Sequence, residues 1–341
     1  MTCVPTALTL ALDSVLAGVP ADALRRATAS LIEVYRSGAP PTAQVLRDPT
    51  TAAAYAAYRM PATPAAVSRA RRHATDLDDA LDVRSVVDVG GGTGAATWAV
   101  AEAFPALERA TVLDGSADAL ALGRRIAGHG PDAVAAATWS RSLLTADLVL
   151  PQSDLAVASY LLGELPEALH ARVVDAMTRS ARLALIVEPG TPRGYAAVLA
   201  ARSRLTGAGW HLLAPCPQDG PCPVVGGSDW CHFAVRLDRS ALHRRVKGGE
   251  RGHEDEKFSY VLASRDPVVP AEARVLRHPL TRKGLVQLEV CRSDASSGRV
   301  VVTKRSADAY RTARDLAWGD AVPPAPPVIA SRENDHQYQE R

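Results

Sequence analysis

Short apolar runs alternate with helix-forming segments through the first two thirds of the chain. The run at residues 85–89 precedes a glycine-rich turn and a helical segment at 95–104. Further apolar runs follow at residues 110–113, 155–158 and 183–187, again separated by segments with helical spacing. Continuous apolar strands of this kind are typical of a parallel sheet that helices cover on both faces. The pattern therefore predicts an α/β fold with a doubly wound sheet.

The residues on either side of this alternating core follow other patterns. Residues 1–80 are rich in alanine with helical spacing, which predicts an N-terminal helical region ahead of a core domain at 81–205. A cysteine-rich segment at 206–257 and a part with strands and basic residues at 258–320 predict a β-containing C-terminal addition. The proline-rich tail at 321–341 is predicted to be disordered.

Composition and charge limit the class of protein. The chain has 341 residues, a formal net charge of +2 and 47% hydrophobic residues, which predicts a folded protein with an ordinary core. The apolar stretch at residues 4–18 contains Asp13 and follows no basic region. It is therefore predicted to be an opening helix and not a signal peptide or a membrane span. We expect a cytoplasmic protein without membrane contact.

The loop after the first predicted strand combines an acid with alternating glycines. With Ala95 it fits the dinucleotide pattern G-x-G-x-x-A, but the carboxylate of Asp88 would repel a pyrophosphate. In S-adenosylmethionine sites such a carboxylate accepts from the ammonium of the cofactor, and bare glycine backbone lets the cofactor lie close. Asp114, at the end of the second strand, suits the ribose hydroxyls of either cofactor. We therefore predict a methyltransferase-type (Rossmann-like) sheet that binds S-adenosylmethionine through Asp88, Gly90, Gly92, Gly94 and Asp114.

The catalytic residues are not identified by any motif. The segment at 159–166, after the fourth core strand, occupies the usual position of acceptor-side residues. It lacks the Asn-Pro-Pro-Tyr or Asp-Pro-Pro-Tyr motif that orients an exocyclic base nitrogen. Tyr160 and Glu164 are the candidates for acceptor contact, with a structural role as the alternative for both.

Four of the five cysteines predict a metal or cluster site. Cys216, Cys222 and Cys231 lie in one Pro/Gly-rich stretch, where restricted backbone lowers the entropy cost of closing a loop around a metal. Cys291 ends an alternating apolar run that is predicted to be a strand, and a strand end offers a rigid position for a distant ligand. Cys3 is the spare cysteine.

The spacing of these cysteines favours iron and sulfide over zinc. Zinc sites usually show short Cys-x2-Cys pairs, whereas iron–sulfur clusters accept wider and less regular spacings. Zinc stays open as an alternative, and so do ordinary buried thiols. A disulfide framework is disfavoured because the chain is long, has an odd number of cysteines and shows no secretory signal.

The C-terminal third is basic on an almost neutral chain. Residues 271–314 contain ten Lys and Arg against four acids. Such a stretch is typical of a polyanion partner such as RNA, and a solvated charged face is the alternative. The RNA-binding candidates are the cations near the cysteines and those in this stretch: Arg236, Arg244, Arg245, Lys247, Lys304 and Arg305.

Several segments together resemble one known family. They are residues 58–61, the glycine loop, 162–165, 187–190, the cysteine segment, 230–233, 304–305 and 318–320. The chain resembles the methyltransferase-like proteins of the small ribosomal subunit, named Rsm twenty-two in yeast mitochondria and methyltransferase-like protein seventeen in animals, with bacterial members. The cysteine segment is the most specific part of the resemblance and the glycine loop the least.

The resemblance implies a ligand set and a partner. It implies a [4Fe–4S] cluster carried by Cys216, Cys222, Cys231 and Cys291, and action on the small ribosomal subunit with binding to 16S-type rRNA. The protein is expected to be monomeric off the ribosome. Two hypotheses follow: a methyltransferase that acts on rRNA, and a non-catalytic assembly factor that uses the fold as an RNA-binding scaffold.

Overall fold

The computed structural model describes residues 4–36, 46, 48–75, 81–145, 147–225, 229–247 and 252–322. Its α-helices, α1 to α11, are Thr6–Leu16, Ala21–Arg36, Pro49–Tyr58, Ala62–Thr75, Ala95–Ala103, Ala117–Ala127, Asp132–Ala135, Glu167–Ser180, Pro192–Gly207, Ala241–Lys247 and Ala307–Asp315. Its strands, β1 to β13, are Ser85–Val89, Arg109–Asp114, Thr138–Arg141, Ser153–Ser159, Ala181–Pro189, His211–Ala214, Phe233–Asp238, His253–Ser264, Ala273–Val275, Leu280–Arg282, Leu285–Arg292, Ser297–Thr303 and Ala321–Val322.

Eight of the described strands form a mixed sheet that confirms the predicted α/β class. Its order is β3-β2-β1-β4-β5-β8-β6, with β7 paired to β8. Strands β1 to β5 are parallel, whereas β8 is antiparallel to β5. Strand β1 is buried along its whole length, which explains its continuous apolar run. The strand order reverses between β1 and β4, and ligands of doubly wound sheets bind at such a switch point.

Among the N-terminal helices, α3 begins at a residue that caps it. Asp48 accepts a hydrogen bond from the Thr51 amide at the start of α3, and Pro49 follows at the first helical position. Helices α1 to α3 share a core with α6 and α10, whereas α4 packs against α5, β7 and β8. The buried alanines of α3 allow close packing at this junction. The helical region is therefore placed against the sheet and its covering helices.

A second, smaller sheet follows the first. Its order is β10-β11-β9-β13, with β12 paired to β11, and it is antiparallel. A core of its own includes Val275, Val286, Leu288 and Val302, with α11 packed against β11 and β12. This sheet is the β-containing C-terminal addition.

The structure divides the chain differently from the predicted boundaries at two points. The boundary between residues 257 and 258 falls inside β8, because residues 253–257 are polar yet extend the strand beyond β5 to pair with β7. Strands β6 and β7 of the cysteine-rich segment also belong to the large sheet. Residues 321–322 form β13 on the small sheet, and the remainder of the predicted disordered tail lies outside the described residues.

Among the described helices, no single one is both long and apolar enough to cross a bilayer. Helices α1 and α2 would meet the length and composition criteria only as a pair, which is bent by 118°.

Candidate functional site

The glycine loop follows β1 and requires its glycines. Gly90, Gly92 and Gly94 have φ angles of 65°, 55° and 79°, in the left-handed region that favours glycine. A Cβ at Gly90 would overlap the Leu161 side chain, and one at Gly94 would lie 2.6 Å from the Trp139 ring. At Gly92 the nearest atoms to a Cβ would be 3.8 Å away or more. The loop is thus tightly packed at Gly90 and Gly94, whereas the space beside Gly92 is open.

Asp88 lies beneath this loop in β1. Its side chain is fully buried, and Oδ2 accepts hydrogen bonds from the amide and the hydroxyl of Thr97, at 3.2 and 3.0 Å. Oδ1 has no hydrogen-bond partner among the described residues. Burial raises the pKa of Asp88 to about 7. Asp88 therefore joins the end of β1 to the start of α5 and retains one free acceptor atom.

Asp114 lies at the end of β2, next to the open side of the loop. Its Oδ2 accepts a hydrogen bond from the Gly92 amide at 2.9 Å, and Oδ1 accepts from the Ser116 amide at 2.7 Å. Burial raises the pKa of this carboxyl, although these amides oppose the shift. The structure therefore brings Asp114 and the glycine loop together, and each carboxylate oxygen keeps a lone pair for a further donor.

A cavity of about 1130 Å³ lies at the ends of β4 and β5. Its polar wall contains Tyr35, Tyr55, Tyr58, Arg59, Tyr160, Glu164, Glu188 and Glu256. Both candidates for acceptor contact, Tyr160 and Glu164, line it. Tyr160 has a φ of 56°, which is unusual for a residue other than glycine and is often found at functional sites.

A largely buried ion pair crosses this wall, with the side chains of Arg59 and Glu256 17% and 13% exposed. The Arg59 guanidinium donates to both oxygens of Glu256, at 3.0 and 3.2 Å. The Tyr160 hydroxyl donates to Glu256 Oε1 at 2.8 Å, and Arg59 Cζ lies 4.7 Å from the centre of the Tyr160 ring. Burial lowers the pKa of Arg59, but the Glu256 carboxylate and other neighbours outweigh it and raise that pKa well above its ordinary value. Arg59 therefore remains charged, and its contacts with Glu256 fix the position of Tyr160.

Two further carboxyl groups in the wall have raised pKa values. Glu164 Oε1 accepts from the Tyr35 hydroxyl at 3.1 Å, and burial raises the pKa of Glu164 to about 7. Glu188, at the end of β5, accepts from the amides of Leu162 and Gly163 at 2.7 and 3.2 Å, and burial raises its pKa to about 7 as well. Both groups can therefore bind or release a proton near neutral pH.

The four predicted cysteine ligands come together from two parts of the chain. Cys216 and Cys222 lie between β6 and β7, Cys231 lies two residues before β7, and Cys291 lies in β11. Burial raises the pKa of Cys231 well above its ordinary value, and the neighbouring thiols of the other three raise it further. Burial and the thiols of Cys216 and Cys222 raise the pKa of Cys291 to about 12.

These four thiols are free and have polar neighbours. The Nε of Arg202 donates to Cys216 Sγ at 3.3 Å, and the Tyr195 hydroxyl lies 3.4 Å from Cys222 Sγ. No three His, Cys, Asp or Glu side chains in the described ranges form a group that could hold a metal ion. The thiols therefore share one neighbourhood without a preformed ligand geometry. Cys3 lies outside the described residues.

The six RNA-binding candidates lie at three places in the fold, which are β7, α10 and the turn after β12. Arg236 of β7 pairs with Asp255 at 2.8 Å, and Lys247 at the end of α10 pairs with Glu254. Arg244 and Arg245 are exposed on α10. Lys304 and Arg305 are exposed after β12 of the small sheet. The candidates therefore divide into cations that are paired within the protein and cations that face solvent.

The model of one protein family, described as "Mitochondrial small ribosomal subunit Rsm22", matches residues 49–323. This match covers the glycine loop, the cavity wall from α3 onward and all four cysteines. The chain belongs to the Rsm22 family. The match confirms the resemblance that the sequence motifs indicated.

Curated relatives in this family include a human and a fission-yeast protein. "Ribosome assembly protein METTL17, mitochondrial" of Homo sapiens is 29% identical over 290 residues, which are 79% of this chain and 62% of that protein. "Rsm22-cox11 tandem protein 2, mitochondrial" of Schizosaccharomyces pombe is 29% identical over 183 residues, 41% of this chain and 24% of that protein. The chain therefore spans less than two thirds of the length of either relative.

Among solved structures, similar chains include magnesium protoporphyrin IX methyltransferase from Synechocystis with bound S-adenosylmethionine. The TM-score is 0.38 at 16% identity, and the match covers 69% of this chain and 91% of that one. Precorrin-6y C5,15-methyltransferase from Geobacter metallireducens matches with a TM-score of 0.37 at 14% identity, over 57% of this chain and 86% of that one. The fold of this Rsm22-family chain is assigned from the strand order of its own sheet, β3-β2-β1-β4-β5-β8-β6.

Sequence reasoning missed part of the cavity wall. Arg59 and Glu256 are 197 positions apart, and no local pattern links them. Glu188 carried a signal, because it is an acid at the end of the apolar run that forms β5. An isolated acid at the carboxyl end of a buried parallel strand is a recognisable mark of this edge of the sheet.

Proposed function

We propose that this Rsm22-family chain binds S-adenosylmethionine, carries an iron–sulfur cluster and acts on the small ribosomal subunit, in rRNA methylation or in subunit assembly. The family match over residues 49–323 carries this proposal, because the description of the family names the small subunit. The human relative is named as a ribosome assembly protein, which supports the same partner. Exposed cations such as Arg244 and Arg245 supply the charge that a phosphate backbone requires.

The glycine loop and Asp114 are the residues that would hold the cofactor. The open side of Gly92 leaves room for close approach, and Asp114 beside it offers acceptors for ribose hydroxyls. S-adenosylmethionine supplies an electrophilic methyl group when it is bound. Tyr160 and Glu164 line the neighbouring cavity, and a Glu164 carboxyl with a pKa near 7 could take the proton that an amine or hydroxyl acceptor loses.

Binding of S-adenosylmethionine is tested by calorimetry on Asp114→Asn. The substitution keeps an acceptor for the Gly92 amide and removes the negative charge. We expect affinity to fall about tenfold, as for the loss of a charged hydrogen bond. Asp132→Asn, an exposed acid at the start of α7, is the matched control and should bind as the unaltered chain does. Equal affinities for all three proteins would contradict a cofactor site at this loop.

The cluster proposal rests on the donor set. Four free thiols from two distant segments share one neighbourhood, and the Arg202 guanidinium donates to the sulfur of Cys216. Thiolates are the usual ligands of iron–sulfur clusters, and hydrogen bonds to sulfur are typical of their surroundings. With four protein thiols bound, the cluster would have no free position for substrate, so its role would be structural.

Protein purified without oxygen tests the cluster. We expect broad visible absorption with about four irons and four sulfides per chain, whereas about one zinc without colour would indicate the alternative metal. Cys222→Ser should lower metal content, soluble yield and rRNA binding together, because the metal organises this region. Cys3→Ser, which alters the fifth cysteine, is the control. Normal RNA binding by metal-free Cys222→Ser protein would contradict the structural role.

A non-catalytic assembly factor is the second candidate. It is favoured by Glu188, whose two oxygens are engaged by backbone amides, and by Tyr160, which is held by the Arg59–Glu256 pair. These contacts hold the cavity wall in place, so its polar side chains have a structural role without any reaction. Labelled methyl groups from S-adenosylmethionine on immature small subunits would establish the enzyme. Subunit assembly that proceeds normally with Asp114→Asn protein, without methyl incorporation, would establish the scaffold.

A further inference from the structure

A buried arginine lies beside the four cysteines without a carboxylate partner. Arg274 of β9 has no exposed surface and is among the largest fully buried side chains of the described structure. Its Nε donates to the carbonyl of Pro215, and one terminal nitrogen donates to the carbonyls of His73 and Gly319, all at 3.0 Å. The other terminal nitrogen has no hydrogen-bond partner among the described residues. The positive charge of Arg274 is thus solvated only by neutral carbonyls.

The position of Arg274 in the small sheet places it next to the cysteines. It is directly opposite Cys291 in the antiparallel pairing of β9 with β11, and such pairs have their side chains on the same face, with Cβ atoms about 5 Å apart. Pro215, which accepts from Arg274, precedes Cys216 in the chain. Arg274 therefore contacts both segments that supply the thiols.

A second buried guanidinium lies beside the cysteines, on helix α9, which packs against the large sheet. Arg202 of α9 is only 5% exposed, and its Nε donates to Cys216 Sγ at 3.3 Å. One terminal nitrogen donates to the carbonyls of Gln218 and Gly220, at 3.0 and 2.6 Å. Like Arg274, it forms no ion pair with a carboxylate within the described ranges. Two cations are therefore buried around thiols whose neutral forms cannot balance them.

An anionic group at the cysteines would explain why these two arginines are buried there. An unpaired buried guanidinium is costly because it loses water without gaining an anion. A metal or cluster held by four thiolates carries net negative charge, because the thiolates outweigh the positive charge of its core. A negative group at the cysteines would therefore offset the burial of both cations.

We propose that Arg274 and Arg202 are the counter-cations of an anionic metal–thiolate group at the four cysteines, and that they set how tightly it is held and at what potential it is reduced. This inference rests on the cluster assigned under the proposed function. Nearby positive charge favours the more reduced, more negative state. Loss of either cation should therefore shift the reduction potential to more negative values.

The test compares variants of the full chain purified without oxygen. Arg274→Met removes the charge, Arg274→Lys keeps it with fewer donors, and Arg202→Gln removes charge but keeps a donor. Arg299→Met is the matched control, because Arg299 lies in the same small sheet but is exposed and paired with Glu289. The readouts are the reduction potential by optical titration and the rate at which a chelator removes iron.

We expect Arg274→Met and Arg202→Gln to be reduced at more negative potential and to lose iron about tenfold faster, in the range of changes beside metal ligands. Arg274→Lys should remain near the unaltered potential, and Arg299→Met should match the unaltered chain in both readouts. A purely structural role for Arg274 predicts that Lys and Met both disturb the site, because neither can reach all three carbonyls with the spread of a guanidinium.

The outcomes separate the two levels of inference. Unaltered chain without iron or zinc would refute the cluster and the counter-cations together, before any variant is compared. Iron that is bound at unchanged potential and lost at unchanged rate in Arg274→Met and Arg202→Gln would refute the counter-cations alone. If Arg274→Met is insoluble, Arg202→Gln and Arg274→Lys decide the question. If the metal is zinc, its release to a chelator is read in the same variants.

Discussion

Two buried arginines show how differently the cavity and the cysteine region handle charge. In the cavity, Arg59 is paired through both terminal nitrogens with Glu256, and Tyr160 donates to the same carboxylate. In the cysteine region, Arg274 is more deeply buried and contacts only backbone carbonyls. The arginine in the cavity wall is therefore paired with a carboxylate, whereas Arg274 has no carboxylate partner among the described residues.

The paired Arg59 is typical of a structural scaffold, whereas the unpaired Arg274 is typical of a binding site for an anionic group. A carboxylate that fully pairs a buried cation fixes a wall, and the wall then positions whatever the cavity receives. A buried cation next to several thiols would instead be balanced by the anionic metal–thiolate group that we propose there.

Removal of the carboxylate from the cavity pair should cause the largest loss. Glu256→Gln leaves the charge of Arg59, whose side chain is only 17% exposed, without its partner, so we expect the free energy of unfolding to fall by about 3 kcal/mol. Urea denaturation measures it. The control, Asp255→Asn, breaks the exposed pair with Arg236, whose side chains are 45% and 64% exposed, and should cost at most about 1 kcal/mol. Equal losses would mean that the cavity pair is no better insulated from solvent than the exposed pair.

The carboxyl group of Glu164 should make stability depend on pH. Burial raises its pKa from 4.5 to about 7 in the folded protein, so the folded state binds this proton more tightly than the unfolded state. Its contribution to stability is therefore present at low pH and is lost as pH rises from about 4.5 to about 7. In Glu164→Gln we expect the fall in unfolding free energy over this window to be smaller by about 2 kcal/mol.

Denaturation curves at several pH values measure this difference. Glu167→Gln, an exposed acid in the same cavity wall, is the control and should retain the pH dependence of the unaltered chain. An unchanged slope in Glu164→Gln would show that the group titrates alike in the folded and unfolded states.

The smallest effects should come from surface cations. If α10 contacts rRNA, Arg245→Ala should weaken binding by about 1 kcal/mol or less and reduce the slope of log K against log salt by about 1. Lys247→Ala, on the same helix, should change binding less, because Lys247 already pairs with Glu254. Filter binding at several salt concentrations measures both. A larger effect of Lys247→Ala would indicate that its ion pair opens on the RNA.

Local sequence was sufficient for the elements whose cause is local. The continuous apolar run at β1, the glycines with left-handed φ angles and Asp114 at the end of β2 lie where the local pattern predicts a strand, a turn and a strand end, since strand burial and tight turns constrain neighbouring residues. The limits of β8 were not predicted, because its first half is polar and becomes a strand only by pairing with β7.

The sequence by itself determined the parallel core, the glycine loop and the set of candidate thiols. Only the tertiary structure decided that Arg59 meets Glu256 across 197 positions, and that Arg274 of β9 lies opposite Cys291. Strand register and packing against distant segments create these contacts, and no periodicity along the chain encodes them. Burial makes these contacts important for stability, because a charge that is excluded from water can be compensated only by the few groups that the fold places beside it.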